Sequence, residues 1–158
     1  MSCIAILYEI FWGESGVTEN TLIKNNVFDH TGFFDNVKYY APISIRGLGS
    51  SVDEDYLLYK NIRIEGNVIK NRTTDYAVYV NSAKGIEIIG NDLGRENDLG
   101  NEYAKDIYVE GAMNVEISGN KYSNENASPV DMIKVEKYKN IFGTDVTENG
   151  ASLLTEEK

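Results

Sequence analysis

One cysteine, two prolines and one histidine in 158 residues remove several classes of protein before any motif is read. A single thiol, Cys3, permits no internal disulfide, so the chain is no disulfide-stapled scaffold and the redox compartment stays open. One cysteine and one histidine, His30, are too few for a zinc site, and no metal or cofactor is expected. Basic charge is also short. With 15 Lys and Arg against 25 Asp and Glu the formal charge is −10. Nucleic acid and anionic membranes select basic patches, so both are excluded as expected partners. The apolar stretch 4–12 carries Glu9, is too short to span a bilayer, and has neither the basic flank nor the cleavage site of a signal peptide. No phosphate-binding glycine loop is present. The paucity of proline, set beside 11 tyrosines, suits strands better than helices. A hydrophobic fraction of 42% is ordinary for a globular core, and the length suits one domain over 1–158.

What the chain does have is a recurring phrase. It reads Asn20-Thr-Leu-Ile-Lys-Asn-Asn26, Asn61-Ile-Arg-Ile-Glu-Gly-Asn67, Gly85-Ile-Glu-Ile-Ile-Gly-Asn91 and Asn114-Val-Glu-Ile-Ser-Gly-Asn120. Each copy alternates apolar and polar residues between turn-tolerant ends, and an apolar residue resumes at Phe28, Ile69, Leu93 and Tyr122. The closing asparagines are 41, 24 and 29 residues apart, so one unit repeats with loops of variable length. A strand-only unit repeated on this scale predicts an all-β parallel β-helix, a solenoid of about five coils.

A second strand precedes each phrase, with inward pairs expected at Tyr8/Ile10, Ile43/Ile45, Val78/Val80, Ile107/Val109 and Ile133/Val135. Asn140-Ile-Phe-Gly-Thr-Asp145 is the expected fifth, degenerate phrase. Asparagine tolerates the left-handed backbone region, and stacked Asn side chains can bond in a ladder. Asn26, Asn67, Asn91 and Asn120 are therefore expected to be scaffold. The polar segment 150–158 is expected to be a C-terminal tail or cap, whereas the strand pattern begins almost at once from Ile4. An open end of this kind is expected to be covered by another chain, by self-association or by preceding sequence.

The phrase Ile-x-Ile-x-Gly-Asn at 62–67, echoed at 86–91 and 115–120, resembles the right-handed parallel β-helix repeat of the pectate-lyase-like superfamily of carbohydrate-active proteins. Within it, Ile-Leu-Tyr-Glu-Ile (6–10) leading into Thr-Leu-Ile-Lys-Asn-Asn is similar to the bacterial β-helical α-1,3-galactosidases. The polygalacturonase signatures Asn-Thr-Asp, Gly-His-Gly and Arg-Ile-Lys are missing. The resemblance implies a glycan as partner and an extracellular or periplasmic location. It also implies the C-terminal part of a longer β-helix.

If Val78 and Val80 face inward, their neighbours face solvent. The outward rows are then Glu9, Ser44, Tyr79, Tyr108, Lys134 and Phe11, Arg46, Asn81, Glu110, Glu136. Loops 11–19, with Trp12, and 46–60 flank this patch. Tyr79 and Tyr108 are either a platform for a sugar ring or a cross-strand aromatic pair. Glu110 and Glu136, at equivalent positions on adjacent coils about 5 Å apart, match a retaining glycosidase pair. Stacked glutamates on a solvated sheet, balanced by Lys134 and Lys137, are the commoner arrangement. The acidic segment 92–98 lacks the spacing of a calcium loop and reads as solvated. Three functions remain: a glycan-binding or glycan-hydrolysing β-helix, with Arg46, Asn81, Lys134 and Trp12 as ligand contacts; a non-catalytic adhesin- or tailspike-like module; or an inactive remnant of a glycosidase.

Overall fold

A computed structural model describes residues 2–8, 16–31, 40–47, 57–72, 74, 76–95 and 106–121, with side chains throughout except at Arg95. It also describes the backbone of four further strands between 133 and 154. All described strand pairings are parallel, and no α-helix occurs among the described residues. Among them, no helix is long and apolar enough to cross a membrane.

The strands fall on three faces. The first holds β1 (Ile4–Leu7), β4 (Ile43–Arg46), the start of β7 (Val78–Ile89) and the start of β9 (Ile107–Ser118), continued by β10 (Ile133–Lys137) and β13 (Ala151–Leu154). The second holds β2 (Thr18–Lys24), β5 (Tyr59–Glu65) and the later parts of β7 and β9, with β11 (Ile141–Phe142) and β12 (Asp145–Val146) beside β9. The third is a separate three-stranded sheet of β3 (Val27–Asp29), β6 (Val68–Arg72) and β8 (Asp92–Arg95). Because β7 and β9 bend from the first face to the second, the first two faces are one curled sheet. The arrangement is all-β and compatible with a β-helix-like fold.

The bends occur where the backbone enters the left-handed region. Asn20, Asn61, Gly85 and Asn114 do so at the opening of each phrase, and Asn25, Gly66, Gly90 and Gly119 at its close. Ser82 and Gly111 mark the bend within β7 and β9. The closing turn thus uses the residue before the ladder asparagine rather than the asparagine itself, contrary to expectation. Glycine suits that place doubly, since a Cβ on Gly66 would also stand 2.7 Å from Asn25 Oδ1.

The ladder asparagines are free for another task. Asn26 donates from its backbone N–H and from Nδ2 to Asn67 Oδ1, each at 3.0 Å. Asn67 does the same to Asn91, at 2.9 and 3.0 Å, and Asn91 to Asn120, at 3.0 and 2.9 Å. The second proton of each amide goes to a main-chain carbonyl: Lys24 for Asn26, Ile23 for Asn67, Ile64 for Asn91 and Ile88 for Asn120. Asn67, Asn91 and Asn120 are buried, and this satisfies groups that would otherwise be costly to remove from water.

Inside the faces lies an aliphatic core of Ile43, Ile45, Ile62, Ile64, Ile69, Val78, Val80, Ile86, Ile88, Leu93, Ile107, Val109, Val115 and Ile117. Each such side chain contributes about 1.5–3 kcal/mol on burial. Two-residue alternation explains their choice, and Phe28 and Ile69 resume it on the third face as expected. At the ends of the chain the register differs from expectation. Ile4 and Ile6, not Tyr8 and Ile10, pair with Ile43 and Ile45. Val135 lies beside Ile107 rather than Val109, a slip of one full pleat. Ile141 lies beside Ala112, so the last phrase is displaced from the expected start at Asn140. Ala151–Leu154, within the expected tail, is a strand paired with β10. Tyr122 lies outside the described residues.

Asn91→Ala should cost about 2–4 kcal/mol, since it leaves two donors of Asn67 and the Ile64 carbonyl short of partners in the interior. Asn26→Ala, at the half-buried end of the ladder, should cost only about 1 kcal/mol. Urea denaturation midpoints of the two variants check this ordering, and equal effects would contradict it.

Candidate functional site

On the first face the residues between the core positions form two rows. One runs Ala5, Ser44, Tyr79, Tyr108, Glu136 by strand register. The other runs Leu7, Arg46, then Asn81 and Glu110, with Arg46 reaching Asn81 by continuing the Ile45–Val80 register. Ala5 and Leu7 therefore stand where Glu9 and Phe11 were expected. Glu9, Phe11 and Trp12 lie outside the described residues.

Tyr79 and Tyr108 do stack, with ring centroids 4.9 Å apart and planes 2° from parallel. Tyr76 meets Tyr108 edge-on at 5.3 Å. Yet Tyr79 is only 7% exposed and Tyr108 3%, and with Ala41 and Tyr76 they make a second, smaller core. They occupy the side of the sheet opposite the aliphatic core, as alternation requires, but that side is covered here. Rings whose faces already meet one another present little surface to a sugar. Ser44 is fully buried beside them, and its hydroxyl has no hydrogen-bond partner among the described residues.

The polar row borders this cluster. Glu110 Oε2 accepts from the Tyr108 hydroxyl at 3.0 Å, and the Asn81 amide reaches it at 3.5 Å. The Ser82 hydroxyl in turn donates to Asn81 Oδ1 at 2.7 Å. Ser82 also packs on Gly47, where a Cβ would fall 2.3 Å from that of Ser82, so the chain leaving β4 can pass only as glycine. The Tyr59 hydroxyl donates to the Arg46 carbonyl at 2.9 Å, tying β5 to the end of β4. Burial pushes the Tyr59 phenol up to about 12, while the Arg46 charge pulls the other way. A guanidinium, an amide and a carboxylate thus lie in sequence on three adjacent strands. Two strand spacings separate Arg46 from Glu110, about 10 Å.

The expected carboxylate pair is not in register. Glu136 stands opposite Tyr108, and Glu110 is one pleat further along. Their Cα positions are then about 8 Å apart, so register no longer implies a separation of 5 Å. Lys134 is likewise displaced from Tyr108.

Sequence reasoning missed a fully buried ion pair between Arg72 and Asp106. Strict alternation after Ile69 would turn Arg72 outward. An irregularity in the β6–β8 register between Ile69 and Arg72, with Asn71 at φ 49°, turns it in. The Asp106 carbonyl also accepts from the amides of Ala77 and Val78, so the pair anchors the entry to the first face. The other ion pairs are open to solvent, whereas Asp92, in the segment expected to be solvated, is buried at the start of β8. Lys24 and Arg63 both contact Glu65 and hold its carboxyl below the usual range. Arg63 also pairs with Glu87. Asp29 is held low by the Asn71 amide and lies 2.8 Å from His30 Nδ1. Such solvated pairs carry little energy. No group of three metal-ligating side chains occurs among the described residues, which do not include 96–105.

No protein-family model, curated protein or solved structure matches this chain.

The folded state favours the neutral Tyr59 phenol, so its contribution is complete below about pH 10 and is lost as pH rises through about 12. The stability of the native chain should fall faster over pH 10–12 than that of Tyr59→Phe. Below pH 10 the variant should be weaker by about 1 kcal/mol for the lost bond to Arg46. Denaturation midpoints measured from pH 8 to 12 test this, and parallel pH profiles would contradict it.

Proposed function

We propose that the curled parallel sheet is a right-handed parallel β-helix of about five coils, of the pectate-lyase-like kind, and that it binds a glycan along the first face. The Arg46–Asn81–Glu110 row carries the reading. Its donor Arg46 and acceptor Glu110 are half-buried and stand two strand spacings apart, a separation suited to the hydroxyls of neighbouring sugars, while Asn81 between them is buried and supports Glu110. The hydrogen bonds from Tyr108 and Asn81 hold the Glu110 carboxylate in place, which lowers the ordering cost of binding.

Binding is favoured over hydrolysis, because the register does not set Glu136 beside Glu110. The second reading is a non-catalytic interaction or structural module of the adhesin or tailspike type. The burial of Tyr79 and Tyr108 favours it, since it removes the aromatic platform from the surface.

An oligosaccharide array followed by calorimetry separates these readings. The glycan reading requires at least one ligand whose affinity falls about tenfold or more in Arg46→Ala and Glu110→Gln, with thermal midpoints unchanged. Release of a shorter product, abolished in Glu110→Gln, would make the chain a glycosidase instead. No binding and no product would leave the interaction module.

A further inference from the structure

Among the described residues, β1, β2 and β3 are each paired on one side only, with β4, β5 and β6. Among the described residues this end of the sheet is covered by no further strand, and it is guarded against edge pairing chiefly by the shortness of β1 and β3. Its three strands contain no proline. Their one lysine, Lys24, is tied to Glu65, and Glu19 lies near Lys60. Leu22 is 58% exposed and Val27 65%, while Ile4 and Ile6 are only partly covered.

The asparagines give this end a specific chemistry. In the ladder, each Oδ1 accepts two protons from the preceding asparagine, so Asn26 Oδ1 is the acceptor left over at this end. A second stack runs with the opposite sense. Asn61 Nδ2 donates to Asn20 Oδ1 at 3.2 Å, so Asn20 Nδ2 is the donor left over. Asn20 and Asn26 lie symmetrically about Ile23 on the same edge.

We propose that this end is the interface of a two-fold symmetric dimer with a second copy of the chain, in which β2 pairs antiparallel with the partner's β2 about Ile23. That register sets the Asn20 amide of each copy opposite Asn26 Oδ1 of the other, twice by symmetry. The same rotation lays β1 of one copy along β3 of the other, covering Ile4 and Ile6. The contact closes on itself, as isologous interfaces do, whereas head-to-tail stacking would continue without end. The inference is independent of the glycan reading, because it uses the end of the sheet rather than its first face.

Sedimentation of the whole chain from about 1 to 100 µM should show a discrete dimer. Residue 22 lies diagonal to its symmetry mate at about 7–8 Å. In a Cys3→Ser background, Leu22→Cys should therefore be joined into dimers by a short bismaleimide. Leu22→Asp/Val27→Asp, which alters only exposed positions, should sediment as a monomer with an unchanged circular dichroism spectrum. A monomer throughout the concentration range, an open-ended series of oligomers, or a dimer in which Leu22→Cys is not joined would each overturn the proposal.

Discussion

The stack of side-chain amides at Asn26, Asn67, Asn91 and Asn120 is the interaction on which the remaining geometry depends. Parallel strands rich in isoleucine and valine carry little information about register, because a slip of two residues returns every apolar side chain to the core. An asparagine whose oxygen receives both a main-chain and a side-chain proton from its neighbour tolerates no such slip. Moving one unit by a pleat would leave several buried polar groups without partners. Hydrophobic burial supplies the driving force, and the amides select one alignment from those that burial alone would accept.

Register in turn decides which side chains meet on the outer side of the sheet. Where the ladder is complete, Asn81 meets Glu110 and Tyr79 meets Tyr108, as counting from the asparagines requires. Beyond Asn120, Val135 settles beside Ile107, one pleat from the expected place, and this separates Glu136 from Glu110. The Glu110 carboxylate is left with Tyr108 and Asn81 as its partners.

Much of the scaffold was legible from residues 20–120, because alternation and spaced asparagines are local signals. The 41-, 24- and 29-residue offsets became the hydrogen-bonded steps of the ladder. What escaped depended on details that alternation does not encode. The β6 irregularity turned Arg72 into the interior toward Asp106. Tyr79 and Tyr108 were correctly placed on the far side of the sheet, but their burial depends on what packs over them, which strand periodicity does not report. The left-handed residue was misplaced by one because Asn25 and Asn26 are adjacent. Gly66, Gly90 and Gly119 reveal that the turn precedes the ladder residue.

The most direct measurement is hydrogen exchange of the asparagine side-chain amides by nuclear magnetic resonance. Both Nδ2 protons of Asn67 and of Asn91 are engaged in the interior, one with the next asparagine and one with a main-chain carbonyl. They should exchange orders of magnitude more slowly than free primary amides, on the timescale of the core strand amides. Exchange of these protons at the rate of a free amide, with the core strands still protected, would contradict a structure organised around the ladder.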